Sequence, residues 1–530
     1  MTLARLMIAF DGTELPRSAA RRINEQGVAG VSLFRAHNVV DPAQVRRLTT
    51  AIQAARPAGA PALLVAADQE GGQLVGLGDG TTQFAGAMAL GATGDEELAE
   101  RVARAMGREL RALGVNVNYA PVCDVANNPA NPALGIRSFG DDPEAVGRLA
   151  ASTVRGLQNE GVAATSKHFP GAGDTAADPH HELPSVRRTP AELAQRELVP
   201  FRAAIAAGAR LVMTGHFALP GQDDDLPTRL PTSLSSTVLR GLLREQLQFE
   251  RVTVSDALDM KALAQGSAQI VDALAALRAG EDVLLGTPDE AALDRLGEGL
   301  EQAYRRGLIQ ADEDRAATGR LAELRGWLGR FDQPPIDLVG CAEHQSLAAE
   351  LAQQSITLVR NHDGLLPLRP AADTRIAVVQ SMSADLTPAD TSSMVPPMLA
   401  SALRRRLAGV EEILLPVMPG DADIADLRVR LESFDLVVVG TFSAHLQRGQ
   451  AALAEAVLTS GKPTVTVALR TPWDLLAYPT ARTHVCSYGI LPPTMEALAA
   501  ALLGEVPFVG RLPVAIAGLY PRGHAAQTAG

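Results

Sequence analysis

At 530 residues, with 46% hydrophobic and 20% charged residues, the chain is too long for one ordinary core and long enough to bury a sizeable one, so two domains are expected. The net charge of −12 is spread without long acidic blocks, which excludes nucleic acid and anionic membranes as expected partners. Three widely separated cysteines, Cys123, Cys341 and Cys486, argue against a disulfide framework or a zinc ribbon and fit a reducing cytoplasm.

The stretch Met1 to Phe10 has one early arginine and a short apolar run leading into Asp11-Gly12, without a small-residue cleavage site, and reads as a first strand and not as a signal peptide. No run of about 18 apolar residues predicts a membrane span. Short apolar or β-branched runs follow: Leu6-Ile8-Phe10, Gly30 to Phe34, Ala62 to Ala66, Val115 to Tyr119, Val162 to Ala164, Leu211 to Met213, Val252 to Val254 and Asp282 to Leu285. Between most of them lie stretches with helical spacing of apolar residues, such as Asp95 to Leu113, Pro143 to Gln158, Pro190 to Ala207 and Ala264 to Ala279. Eight buried strands alternating with helices predict an α/β fold of the (β/α)8 TIM-like barrel type, with an open doubly wound sheet as the alternative.

Phe331-Asp332-Gln333-Pro334-Pro335 interrupts the pattern, and no strand signal appears for some twenty residues. Runs at Ser355 to Val359, Arg375 to Val379, Leu436 to Gly440 and Thr464 to Leu469, with helical segments at Met398 to Arg406 and Gly449 to Leu458, then predict a smaller α/β sandwich with a mainly parallel sheet. The expected division is a barrel over 1–332, a linker and helix over 333–354, and the sandwich over 355–530. The tail His524 to Gly530 is small and polar and reads as frayed.

A barrel places its chemistry at the carboxyl ends of the strands, and the unusual polar residues fall there. Asp68-Gln69-Glu70 follows the third run, Asp124 the fourth, Lys167-His168 the fifth, His216 the sixth and Ser255-Asp256 the seventh. The densest stretch, Lys167 to Thr175 followed by Asp178-Pro179-His180, comes just after Gly161-Val162-Ala163-Ala164, which reads as the end of a buried strand. Gly171 and Gly173 suit a tight loop and lack the pattern of a phosphate cradle. Asp124 and His216 read as supporting residues, the latter as a satisfied core histidine. Asp259 reads as a first-turn helix charge.

Other chemistries lack their signatures. No His-Glu-x-x-His occurs, so no metal is expected, and Asp223-Asp224-Asp225 lacks the ligand spacing of an EF-hand loop and reads as a solvated loop. No Gly-x-Ser-x-Gly supports an esterase.

Phe10-Asp11-Gly12, Gly30 to Phe34, Asp68-Gln69-Glu70-Gly71-Gly72, Asn131 to Gly140, Lys167 to Gly171 and Val254 to Leu258 stand in this order along the chain. In that order they resemble the family 3 glycoside hydrolases, and among them the β-N-acetylglucosaminidase (β-N-acetylhexosaminidase) branch. Ser355 to Asn361 through Leu365 to Leu368 is similar to the opening of the family's second domain. The resemblance implies a retaining, exo-acting enzyme without cofactor that works by double displacement, a carboxylate attacking while a second group about 5 Å away protonates the leaving oxygen. By resemblance Asp256 is the nucleophile, His180 the proton donor and Asp178 its partner, while Asp68, Arg137, Lys167 and His168 hold the terminal sugar. Histidine suits the acid/base task because its unperturbed pKa of about 6.5 lies near working pH; His181 competes by adjacency but lacks the spacing from Asp178. The bland alternatives are a helix cap for Asp256, an ion pair between strands for Lys167 and Asp68, and a structural ion pair for Arg137.

Two departures stand out. Pro179 replaces the usual serine between the dyad residues and predicts a stiffer loop, and Gln73 replaces an arginine, removing one sugar or loop anchor. The implied substrates are amino-sugar oligosaccharides or muropeptides from peptidoglycan or chitin, with peptidoglycan recycling in a bacterial cytoplasm as the setting. A β-N-acetylglucosaminide phosphorylase is the main alternative, since a histidine acid leaves no second carboxylate to repel phosphate. A β-glucosidase or a non-catalytic carbohydrate-binding protein is a weaker one, and the oligomeric state is left open.

Overall fold

A computed structural model of the chain describes residues 3–219 and 229–527. The Asp223-Asp224-Asp225 run, the first two residues and the last three lie outside the described residues. The eight runs read from the sequence become β1 (Leu6–Ile8), β2 (Gly30–Leu33), β3 (Leu64–Ala67), β4 (Val117–Asn118), β5 (Ala163–Phe169), β6 (Leu211–Thr214), β7 (Val252–Ala257) and β8 (Val283–Leu285). They pair in parallel in chain order, and β1 closes the ring on β8. Met7, Leu64, Val117, Leu211, Val252 and Val283 belong to one buried apolar cluster, joined by Leu321, Leu324 and Trp327 of the helix Ala311–Leu328. Arg325 of that helix donates to the carbonyl of Ala29, just before β2, so the helix closes the amino-terminal end of the barrel. The carboxyl end is left for the site.

Several elements differ from the sequence reading for identifiable reasons. The Gly161 to Ala164 run opens β5 instead of ending it: the strand continues to Phe169 and carries Lys167 and His168 itself. The segment Pro190 to Ala207 is two helices, Pro190–Gln195 and Leu198–Ala206. The break falls at Arg196 and Glu197, where Glu197 turns inward to 0% exposure, and Pro200, which lacks an N–H, fits only the first turn of the second helix. The helix expected from Ala264 begins at Gln269, after a 3-10 turn at Gly266–Ala268. Asp259 therefore sits in a turn closed by Met260 N–H donating to the carbonyl of Ala257, and not in a helix first turn.

Beyond the barrel, the helix Ala342–Ser355 consumes Ser355, so that the next strand, β9, runs Thr357–Asn361. It is followed by β10 (Ile376–Ser381), β11 (Val410–Leu415), β12 (Leu436–Thr441), β13 (Thr464–Ala468) and β14 (Thr483–Cys486). The order is β9-β14-β13-β12-β10-β11, parallel except for the β9–β14 pair. The sequence reading missed β11, an edge strand exposing Glu411 and Leu414, and β14, which is only four residues long. The tail expected to fray is tied down through Ala526, whose N–H donates to Leu358, while His524 Nε2 meets the carbonyl of Val359 at 2.9 Å.

The sandwich packs against the barrel through polar seams. Buried Glu109 of the barrel accepts from Thr82 and faces His344 Nδ1 at 2.8 Å. Thr391 of the second domain donates its N–H to the carbonyl of Gln73 at 2.8 Å, and its hydroxyl accepts from Val75 N–H at 3.1 Å.

Candidate active site

A cavity of about 320 Å³ opens at the carboxyl ends of the strands. Asp68 after β3, Asp124 after β4, Lys167 and His168 of β5, His216 after β6 and Asp256 of β7 all line it, together with Arg137 and His180. Every residue placed at the site from the sequence therefore comes to one place, except Asp178, which stands behind His180.

The floor is a network of paired charges. Lys167 Nζ lies 2.5 Å from Asp68 Oδ1 and 2.7 Å from Glu70 Oε1. Arg137 forms a two-pronged pair with Glu70, Nε to Oε2 at 2.9 Å and Nη2 to Oε1 at 2.8 Å, the planar fork matching the carboxylate. Burial works against the charged form of Glu70, but Arg137 and Lys167 hold its carboxyl down at about 2. Lys167 is likewise buried, yet Asp68 and Glu70 keep its ammonium above the ordinary lysine value. In the sequence Glu70 stands out only as part of the Asp-Gln-Glu motif; its place two residues after Asp68, on the same face of an extended segment, is the signal that could have found it. The bland reading of Lys167, Asp68 and Arg137 as ion-pair partners is correct as geometry, and the pairs also front the cavity.

His168 Nδ1 lies 2.7 Å from Asp124 Oδ2, a carboxylate with 0% exposure that also accepts from Ala172 N–H. This fixes the ring with Nε2 3.3 Å from Arg137 Nη2. His216 is fully buried, Nδ1 2.7 Å from Ser233 Oγ and Nε2 3.2 Å from the carbonyl of Ala257, and burial holds its pKa below the usual histidine value. Both supporting readings hold.

Asp256 caps no helix. Its Oδ1 accepts from the N–H of Ala257 at 2.8 Å, and burial alone would raise its pKa, but His168, His216 and His180 facing it hold the carboxyl below the ordinary range. Asp256 is thus an ionised carboxylate in the cavity, with imidazoles on several sides.

The dyad residues pair despite Pro179. Asp178 Oδ1 lies 2.6 Å from His180 Nδ1 and accepts the His180 backbone N–H at 2.9 Å. Burial opposes ionisation of Asp178, yet His180 keeps its carboxyl below the usual range. The carbonyl of Pro179 accepts from Ala262 N–H, tying the loop to the segment after β7. His181 turns its N–H back to the carbonyl of Asp178. The loop leaves β5 through Gly171, at φ +123°, and Gly173, where a Cβ would lie 1.8 Å from the carbonyl oxygen of Val125.

The second domain supplies part of the wall, through Pro388, Ala389, Thr391 and Met394. Gln73, where an arginine was expected, does serve as a loop anchor: its amide donates to the carbonyl of Ala389 at 3.3 Å. Asp390 of this segment is committed to Arg470 at 2.7 Å, both buried.

A charge-lined cavity at the carboxyl mouth of a (β/α)8 barrel, with an ionised carboxylate and a carboxylate-oriented imidazole, defines a glycoside hydrolase site. Residues 6–324 match the glycosyl hydrolase family 3 N-terminal domain and residues 356–520 its C-terminal domain, and the chain belongs to glycosyl hydrolase family 3. It is 30% identical to beta-hexosaminidase A of Pseudoalteromonas piscicida, over 95% of this chain and 92% of that one. It is 31% identical to the beta-N-acetylglucosaminidase/beta-glucosidase of Cellulomonas fimi, over 85% and 83%. A family 3 beta-N-acetylglucosaminidase structure from Paenibacillus sp. str. FPU-7 superposes with a TM-score of 0.90 at 35% identity, covering 97% of this chain and 98% of that one.

Proposed function

We propose that the chain is a retaining, exo-acting β-N-acetylglucosaminidase in which Asp256 attacks the anomeric carbon, His180 protonates the departing oxygen and then activates water, and Asp178 orients His180. Asp68, Arg137, Lys167 and His168 hold the terminal sugar. The observation that carries this reading is the Asp178–His180 pair at 2.6 Å on the loop over the cavity that contains Asp256. Asp178 fixes the tautomer that leaves Nε2 toward substrate and stabilises the imidazolium, the role a carboxylate plays beside histidine in hydrolytic triads. The names of the relatives at 30% and 35% identity support the acetamido sugar. Amino-sugar oligosaccharides or muropeptides are the proposed substrates. Peptidoglycan recycling in the cytoplasm is the proposed setting, and the three free cysteines fit a reducing compartment. Among the described residues no helix is long and apolar enough to cross a membrane.

The test is the initial rate of p-nitrophenol release from the β-N-acetylglucosaminide and the β-glucoside, each with and without phosphate. Preference for the acetamido sugar without phosphate dependence is expected. Phosphate stimulation with a glycosyl-1-phosphate product establishes a phosphorylase instead, and preference for the glucoside overturns the substrate assignment. Asp256→Ala is expected to lower kcat by about 10⁴-fold or more with the fold intact by circular dichroism; substantial residual turnover removes Asp256 as nucleophile.

A further inference from the structure

The loop that carries Asp178 and His180 rests on a second loop, which in turn is gripped by the second domain. Asn128 Nδ2 donates to the carbonyls of Asp174 at 3.2 Å and Thr175 at 3.1 Å. Asn131 Nδ2 donates to the carbonyl of Ala172 at 2.9 Å and to Thr175 Oγ1 at 3.0 Å. These bonds hold the segment leading into the dyad at four points. Between the two asparagines, the carbonyl of Pro129 meets Nε2 of His445 from the second domain at 3.0 Å.

His445 is itself built in. Its Nδ1 lies 3.1 Å from Asp474 Oδ1, and the other oxygen of that carboxylate accepts from Thr441 Oγ1 at 2.6 Å, with the Tyr478 hydroxyl 2.8 Å beyond. The His445 side chain is 7% exposed and the Asp474 side chain 0%, and Trp473 packs edge-on against the imidazole at 5.9 Å between centroids. Burying an imidazole and a carboxylate at a domain seam costs desolvation and side-chain entropy. Among the described residues, the polar contact His445 makes outside its own domain is the one to Pro129.

We propose that His445, oriented by Asp474, is a positioning residue for the reaction: the second domain sets Pro129, Asn128 and Asn131 set residues 172–175, and these deliver the Asp178–His180 dyad. The inference rests on the reading of His180 as the acid/base group. Displacing such a group by about 1 Å is enough to cost on the order of 10²-fold in rate, and the loss falls on the step that needs the proton. A leaving group such as 2,4-dinitrophenolate departs without protonation, whereas the sugar alcohol released from chitobiose does not.

The experiment compares kcat/KM for chitobiose and for 2,4-dinitrophenyl β-N-acetylglucosaminide in the full-length enzyme and in His445→Ala, His445→Gln and His180→Ala. His445→Ala is expected to lose about tenfold or more on chitobiose and to stay within about twofold on the dinitrophenyl substrate. His445→Gln, whose amide N–H can reach Pro129, is expected to recover most of the chitobiose rate. Equal losses on both substrates, or no loss, overturn the proposal. If His445→Ala loses its calorimetric transition, Asp474→Asn replaces it and must show the same selective loss. His180→Ala separates the two readings: selectivity there without selectivity in His445→Ala overturns the positioning role alone, whereas its absence there overturns the dyad itself.

Discussion

Among single residues, Glu70 ties together two cations of the site. It is the shared counter-charge of Lys167 and Arg137, both buried. Removing one partner of a buried ion network leaves uncompensated charge, which costs about 3–5 kcal/mol. Glu70→Ala is therefore expected to lower stability by that amount in urea unfolding and to weaken substrate binding. The folded carboxyl of Glu70 lies at about 2 against an ordinary 4.5, so its contribution is complete above pH 4.5 and is lost as pH falls toward 2. Glu281 behaves oppositely. It is fully buried and accepts from the Thr214 hydroxyl, and burial pushes its carboxyl up to about 8. Between pH 4.5 and 8 the folded state holds a proton the unfolded state does not, so stability declines as pH rises through this window. Glu281→Gln is expected to flatten that decline, raising Tm relative to the parent at pH 8 and above but not at pH 5, as read by calorimetry. A parallel decline in both proteins refutes the assignment.

The elements of the barrel follow from local pattern, while their use in the site depends on where they stop. All eight barrel strands were legible because each contains a short, buried apolar or β-branched run. The extent of β5 was not, since Lys167 and His168 read as loop residues. Polar side chains are admitted into a strand there because Asp68, Glu70 and Asp124 satisfy them, and those partners arrive from other strands. The long β5 loop depends on glycine for a steric reason: a Cβ at Gly173 would strike the carbonyl of Val125 at 1.8 Å. Gly173→Ala is expected to shift the loop and lower kcat by about tenfold or more, with the calorimetric transition of the barrel kept. Retention of full activity would show that the loop tolerates the displacement.

For the whole molecule, the second domain forms part of the site as well as being appended to the barrel. The segment Pro388 to Met394 forms part of the cavity wall and is fastened by Thr391 to Gln73 and Val75. Thr391→Val removes the acceptor of a buried backbone N–H, which costs about 1–3 kcal/mol. It is expected to raise KM more than it lowers kcat, as measured by initial rates over a substrate series, because the wall is loosened and the reacting groups stay in place. A fall in kcat at unchanged KM would contradict this.

While the pairing of Asp178 with His180 followed from the family resemblance, the sequence by itself determined the alternation of strands and helices and the gathering of Asp68, Lys167, His168 and Asp256 at strand ends. These depend on periodicity and on spacings of a few residues, which local covalent geometry converts directly into position. Only the tertiary structure decided that Glu70 links the two cations, that buried Glu197 accepts from Asn127, that Gln73 fastens the second domain, and that His445 reaches Pro129 across 316 positions. Each of these pairs residues far apart in the chain, and no local pattern encodes which buried donor meets which acceptor. That is settled when the two domains pack and every buried polar group has to find its partner.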